Sequence, residues 1–151
     1  MARRTDRRRH DKAGMRQGPF EAYLDTSAFF AFLDKSDSCH LAFNRLFASP
    51  PALVTSALVI AEGHRWFLRR YDKLRATQFL AFIEALPALT VQAFDVTELS
   101  KVRRTLAQFG DQNLTLADAH GLTIMKDRRS AICWSTDRHL GLTGVDLAVT
   151  A

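Results

Sequence analysis

The stretch Leu114-Thr115-Leu116-Ala117-Asp118-Ala119-His120-Gly121-Leu122-Thr123-Ile124-Met125 reads as a helix with a carboxylate on its apolar side. At helical spacing Leu114, Asp118, Leu122 and Met125 share one stripe. A helix packed by that stripe brings Asp118 to the edge of the core. A desolvated, unpaired carboxylate is costly. A cation, a metal or a set of hydrogen-bond donors must offset it. Glu62 repeats the anomaly, because its neighbours at i−4, i−3 and i+4 are Leu58, Val59 and Trp66.

The segments on either side set the fold class. Phe20–Leu24 is a short apolar strand closing on Asp25, with Thr26 and Ser27 as N-caps for a helix bearing Phe29, Phe30, Phe32 and Leu33. Asp37-Ser38 can start a second helix, with Ala42, Phe43, Leu46 and Phe47 as its apolar face, and Pro50-Pro51 break it. Ala52–Thr55 is a strand that runs into the Glu62 helix, about 56–70. A helix over about 72–86 turns Phe79, Phe82, Ile83 and Leu86 inward, and Pro87 stops it. Leu89–Phe94 alternates as a strand does. Val96–Phe109 is helical, with Leu99, Val102, Leu106 and Phe109 aligned and Gly110 as C-cap. After the Asp118 helix, Ala131–Ser135 is a buried strand that runs into Thr136-Asp137, and Val145–Val149 can add a last one. Strands alternating with helices imply an α/β fold with a central, mostly parallel sheet of about 4–5 strands flanked by helices. In such sheets ligands sit beyond the carboxyl ends of the strands, where Asp25 and Asp137 fall.

Composition bounds the function. A chain of 151 residues makes one domain with a real core. No apolar run approaches the roughly 20 residues that span a membrane. Cys39 and Cys133 form no metal-spaced pair, so a reduced, cytoplasmic protein is expected. Residues 1–18 hold seven of the 21 basic and two of the 16 acidic residues, so the whole net charge of +5 lies there. That leader lacks an apolar segment behind it and is not expected to be a secretory signal. We expect residues 1–20 to be a basic, disordered extension that raises nucleic-acid affinity; the alternatives are a merely solvated extension, or a start codon placed upstream of the true one at Met15. Residues 21–151 are expected to form the folded domain.

Asp25, Glu62, Asp118 and Asp137 are far apart in sequence, yet each can reach a shared pocket. Four converging acids repel one another unless a cation is present. Mg²⁺ prefers oxygen ligands and keeps several waters, and Mn²⁺ suits the same set. Such ions serve phosphoryl chemistry. Each acid also has a plainer reading. Asp25 and Asp137 can be helix N-caps, Glu62 can pair with Arg65 or Arg69, and Asp118 with Arg128 or Arg129. His120, two residues from Asp118, points away from it on a helix and reads as a surface or satisfied side chain. Trp66 reads as packed and His64 as exposed. Arg69, Arg70, Lys73 and Arg75 read as a solvated face or a phosphate contact.

Tyr23-Leu24-Asp25-Thr26-Ser27-Ala28, Ala61-Glu62 followed by Arg69-Arg70, Leu114–Ala119, and Ser135-Thr136-Asp137-Arg138-His139-Leu140 resemble the ordered motifs of PIN domains. They look most like the VapC-type toxin ribonucleases of toxin–antitoxin pairs, over about residues 22–149. The resemblance implies a single PIN-like nuclease domain and a Mg²⁺-dependent endoribonuclease, with Mn²⁺ as a substitute. Asp25, Asp118 and Asp137 would hold metal, and Glu62 would complete the acidic set and orient the attacking water. Thr26, Ser27 and Thr136 would be second-layer or phosphate-side groups, and His139 could face RNA. The implied partners are an RNA substrate, a cognate antitoxin and a second copy of the chain, with no membrane. The alternatives are an RNA-processing PIN nuclease that is not a toxin, and a non-catalytic metal- or RNA-binding module. A haloacid-dehalogenase-like phosphatase would need a second Asp where Ser27 stands, and a receiver-like site would need two adjacent acids after the first strand.

Overall fold

A computed structural model describes residues 21–150. The basic extension expected over residues 1–20 lies outside the described residues. Five strands form one sheet: β1 (Glu21–Leu24), β2 (Ala52–Ser56), β3 (Leu89–Gln92), β4 (Ile132–Trp134) and β5 (Asp146–Leu147). Six helices flank them: α1 (Thr26–Leu33), α2 (His40–Ala48), α3 (Ala57–Arg70), α4 (Lys73–Ala85), α5 (Val96–Gln108) and α6 (Leu116–Arg128). A 3-10 turn, Arg138–Gly141, precedes β5. Among the described residues no helix is long and apolar enough to cross a membrane.

All four strand pairings are parallel, in the order β3-β2-β1-β4-β5. The α/β expectation therefore stands, with every strand parallel. The chain winds outward from β1 to β2 and β3, then crosses back to lay β4 on the other side of β1. The order reverses between β1 and β4, and that crevice is where open α/β sheets bind ligands. Tyr23 stands opposite Val54 on one side and Cys133 on the other.

The strand pleat sorts β1 into two cores. Ala22 and Leu24 join Phe29, Phe43, Leu53, Phe67, Phe79 and Trp134 on the α1–α4 face. Tyr23 joins Val54, Leu122, Ile124, Met125 and Cys133 on the α6 face. A β-carbon on Gly121 would sit 2.8 Å from the Tyr23 hydroxyl, so α6 approaches the sheet only because that residue is glycine.

Several boundaries differ from the sequence reading. Asp25, not Thr26 or Ser27, is the N-cap of α1, because its carboxylate accepts the Ser27 N–H. α2 starts later than Asp37-Ser38, with Cys39 at its N-cap. α6 begins at Leu116 with Thr115 as N-cap, so Leu114 is not on the helix. α6 is buried on nearly every side from Ala117 to Met125 rather than along one stripe. In α5 the inward acid is Glu98, while Leu99 is 40% exposed. The C-cap of α5 is Phe109 rather than Gly110. The last strand shrinks to two residues because Asp146 and Leu147 alone pair with β4.

Two helix ends are tied together at the surface. Asp34, the C-cap of α1, accepts hydrogen bonds from Ser36 and from the Tyr71 hydroxyl at the end of α3 (2.7 Å). The Ser36 side chain, then Tyr71, hold the Asp34 carboxyl down at about 2. A depressed carboxylate stabilises the fold above its unfolded value and loses that contribution as pH falls toward the folded value. The expected result is that Tyr71→Phe lowers the unfolding temperature at about pH 5, with the gap to the parent closing as pH falls through about 4 toward 2. A thermal-denaturation series over that range checks it, and a gap that stays constant with pH contradicts it.

Candidate active site

Four segments deliver the acids to the carboxyl edge of the sheet. Asp25 follows β1, Glu62 lies on α3 directly after β2, Asp118 lies in the first turn of α6, and Asp137 follows β4. Each acid is also held by its own backbone or by a hydroxyl, and in each case one oxygen does the holding.

Asp25 is 7% exposed. Its Oδ2 accepts from the Ser27 hydroxyl (2.8 Å), the Ser135 hydroxyl (2.8 Å) and the Ser27 N–H (3.3 Å). Burial raises its pKa, and these donors oppose the rise. Glu62 Oε2 accepts from the Thr26 hydroxyl at 3.0 Å. Glu62 is pushed up by partial burial, then by the charges of Asp118 and Asp25. Asp118 Oδ2 accepts the Thr115 N–H at 2.8 Å, while the Thr115 hydroxyl accepts the Asp118 N–H, forming a capping box. Asp137 Oδ1 accepts the His139 N–H at 2.9 Å and lies 3.0 Å from His139 Nδ1.

The second oxygen of each carboxylate (Asp25 Oδ1, Glu62 Oε1, Asp118 Oδ1 and Asp137 Oδ2) accepts no hydrogen bond among the described residues. Nor does any lysine or arginine pair with these four acids among the described residues. The ion-pair readings of Glu62 and Asp118 are thereby replaced. Arg128 pairs instead with Glu21, at 3.2 Å. The N-cap readings of Asp25 and Asp137 hold, and they are compatible with a site because capping engages a single oxygen.

The repulsion extends beneath the acids. The Tyr23 hydroxyl is buried without a hydrogen-bond partner among the described residues. Its pKa is raised well above the ordinary value by burial first, then by Asp25, Cys133, Asp118 and Glu62. An all-oxygen, negatively charged donor set of this kind suits a hard divalent ion. No three carboxylate, imidazole or thiolate groups among the described residues meet closely enough to hold an ion by themselves.

The hydroxyl candidates divide by role. Thr26 is buried and turned to Glu62. Ser27 is turned to Asp25 and to Ser135 (3.0 Å), and its oxygen also accepts the Thr136 N–H at 3.0 Å. Thr136 thus contributes through its backbone. His139 is turned to Asp137.

Sequence reasoning missed Ser135, whose oxygen bridges Asp25 and the Asp137 N–H (2.9 Å). Its position one residue before Thr136-Asp137 was the available signal. Sequence reasoning also missed a sealed chain behind the site. Ser56 Oγ lies 2.6 Å from His120 Nδ1, and His120 Nε2 lies 3.1 Å from Glu98 Oε2. The Glu98 carboxylate can only accept, so Nε2–H donates to it, and the neutral ring then accepts the Ser56 hydroxyl proton at Nδ1, while Ser56 Oγ accepts the Leu58 N–H at 3.0 Å. The order resembles a hydrolytic triad, but Ser56 and His120 are fully buried and Ser56 caps α3. The chain therefore locks α3, α5 and α6 together. His120 is satisfied and buried, and burial depresses its pKa.

Glu98→Ala strips the acceptor from a buried imidazole and is expected to cost about 1–3 kcal/mol. Lys101→Ala, which removes a surface ammonium that Glu98 shares with Asp127, is expected to cost clearly less. Urea denaturation of both variants checks this, and equal losses would contradict the assignment.

The chain belongs to the PIN domain family, which it matches over residues 22–144. Its fold is similar to that of VapC20 from Mycobacterium tuberculosis, described as a toxin that cleaves the sarcin-ricin loop. That match has a TM-score of 0.74 at 20% identity and covers 82% of this chain and 95% of that one. It is also similar to VapBC2 from Rickettsia felis, seen bound to a DNA fragment from its promoter, with a TM-score of 0.59 at 12% identity over 85% and 97% of the two chains. No curated protein matches the sequence.

Proposed function

We propose that this protein is a metal-dependent endoribonuclease that hydrolyses RNA phosphodiester bonds, and that it is the toxin of a toxin–antitoxin pair. The observation that carries the reading is the acid cluster at the β1/β4 crevice, in which each carboxylate keeps one oxygen unengaged by the described residues. Family membership and the fold shared with a toxin described as cleaving the sarcin-ricin loop support it. Asp25, Asp118 and Asp137 are the residues that would hold Mg²⁺ or Mn²⁺, directly or through water. When bound, the ion supplies Lewis acidity toward phosphate oxygen and water and offsets the repulsion among the acids.

The chain's own groups do the rest. Thr26 fixes Glu62 through one oxygen, and the other is available to accept a proton from the attacking water. Burial and like charge raise the basicity of Glu62, which suits that role. Ser27 and Ser135 fix the Asp25 carboxylate, and the Thr136 N–H fixes Ser27. His139 orients Asp137 through its backbone N–H and its ring. The fold shared with a VapBC structure supports an antitoxin partner, and a homodimer and a cytoplasmic location belong to the same reading.

The test is cleavage of total cellular RNA by the purified full-length protein with Mg²⁺, with Mn²⁺ and with EDTA. Discrete fragments that require metal are the expected result. Folded, antitoxin-free protein that cleaves nothing in either metal retires the nuclease in favour of a binding module.

A further inference from the structure

Beside the acids lies a hollow of about 620 Å³, within the roughly 300–1,000 Å³ typical of small-ligand sites. Glu62 forms one side of it and so joins it to the acid cluster. Phe30 and Trp66 line it as a stacked pair, with ring centroids 3.9 Å apart and planes inclined by 21°. Arg65, Arg69 and Arg70 complete the lining. None of the three pairs with a carboxylate among the described residues. Glu62, Arg65, Trp66, Arg69 and Arg70 fall at i, i+3, i+4, i+7 and i+8, so one face of α3 runs from the acid to the bases. A second, smaller hollow of about 270 Å³ shares Glu62 and Arg65, so the surface continues past the acids on the other side.

An aromatic platform with arginines beside it is the chemistry that binds single-stranded nucleic acid. Bases stack on the rings and phosphates meet the guanidiniums. We propose that the Phe30–Trp66 hollow is a nucleobase subsite, taking an unpaired base of the RNA next to the phosphate held at the acids. Arg65, Arg69 and Arg70 then hold the adjoining phosphates. The subsite rests on the nuclease reading for its neighbour, the scissile phosphate. It selects RNA whose base is unstacked beside the cut.

The test uses the full-length protein in EDTA, where no cleavage is expected, and tryptophan emission. Trp134, the other tryptophan, is 2% exposed and shielded from ligand. Short single-stranded oligoribonucleotides are expected to quench Trp66, and inorganic polyphosphate and a blunt RNA duplex are not. Trp66→Leu is expected to weaken single-strand binding by about 5–100-fold, leaving polyphosphate binding unchanged, with most of the loss restored in Trp66→Phe. Arg69→Ala, at an exposed position, is expected to weaken both ligands and to flatten the salt dependence of RNA binding. RNA that binds without changing the emission overturns the proposal, as does a folded Trp66→Leu that binds as tightly as the parent. An acidic, leucine-rich peptide that quenches where RNA does not assigns the hollow to a protein partner and overturns it equally. Because binding is read without metal, a parent that quenches but never cleaves removes the nuclease reading and leaves the subsite standing.

Discussion

Asp118→Asn is expected to abolish metal-dependent RNA cleavage, by at least about 100-fold, more than the loss of an outer-sphere group around a metal costs. The fold is expected to survive. Asparagine keeps a side-chain oxygen that can accept the Thr115 N–H, so the capping box at the start of α6 is retained. The charge is lost, and with it Asp118's share of the repulsion that adds to burial in raising Glu62 and the buried Tyr23 hydroxyl. In EDTA the variant should therefore unfold at the same temperature as the parent or slightly higher. With Mg²⁺ added, the parent should gain thermal stability and the variant should gain less, because a ligand stabilises only the state that binds it. Cleavage assays and melting curves with and without metal check all three points. A variant that unfolds, beside a parent that Mg²⁺ leaves unmoved, makes Asp118 a structural residue and dissolves the site.

The largest stability effect is expected at Phe79, on the opposite side of the sheet from α6. Its ring is fully buried, 5.3 Å edge-on from Phe29 and 5.2 Å stacked on Phe67. It also lies over Gly63, where a β-carbon would collide with it, so α3 and α4 pack through this ring against bare backbone. Phe79→Ala removes the ring and leaves a cavity between two helices that contact each other extensively. The expected cost is about 3–5 kcal/mol, or a drop of roughly 10–20 °C in unfolding temperature for a domain of this size. Leu80→Ala, next in sequence but 37% exposed, is expected to stay within about 1 kcal/mol. Thermal and urea unfolding of the pair check the contrast. Glu62 sits one residue before Gly63, so a loosened α3 should also lower activity at temperatures where Phe79→Ala remains folded.

The acids were legible in sequence because each broke a local pattern or ended a strand. Asp118 and Glu62 interrupted apolar surroundings, and Asp25 and Asp137 followed short apolar runs. The apolar stripe that marks Asp118 in the sequence is not what holds it in the fold. Asp118 stands at the third position of α6, where a carboxylate caps the helix, and Leu114 lies before that helix. Glu98 was hidden by a competing stripe, since Leu99 and Val102 also align and only packing shows which side of α5 turns inward. Ser135 carried no charge or periodicity to mark it. Its role arises from the register that sets Leu24 opposite Trp134, and so Asp25 beside Ser135.

By itself the sequence determined the alternation of strands and helices, the mostly parallel sheet and the positions of Asp25 and Asp137 after strands. These follow from periodicity, proline stops and short connections, which act over a few residues. The tertiary structure decided the strand order β3-β2-β1-β4-β5, the oxygen each acid commits, the sealed Ser56–His120–Glu98 chain and the aromatic hollow beside Glu62. Apart from the local caps at Asp25, Asp118 and Asp137 and the β4–β5 pairing, those depend on partners separated by 22 to 110 residues. Their geometry is set by how the helices close over the sheet, which no local pattern encodes.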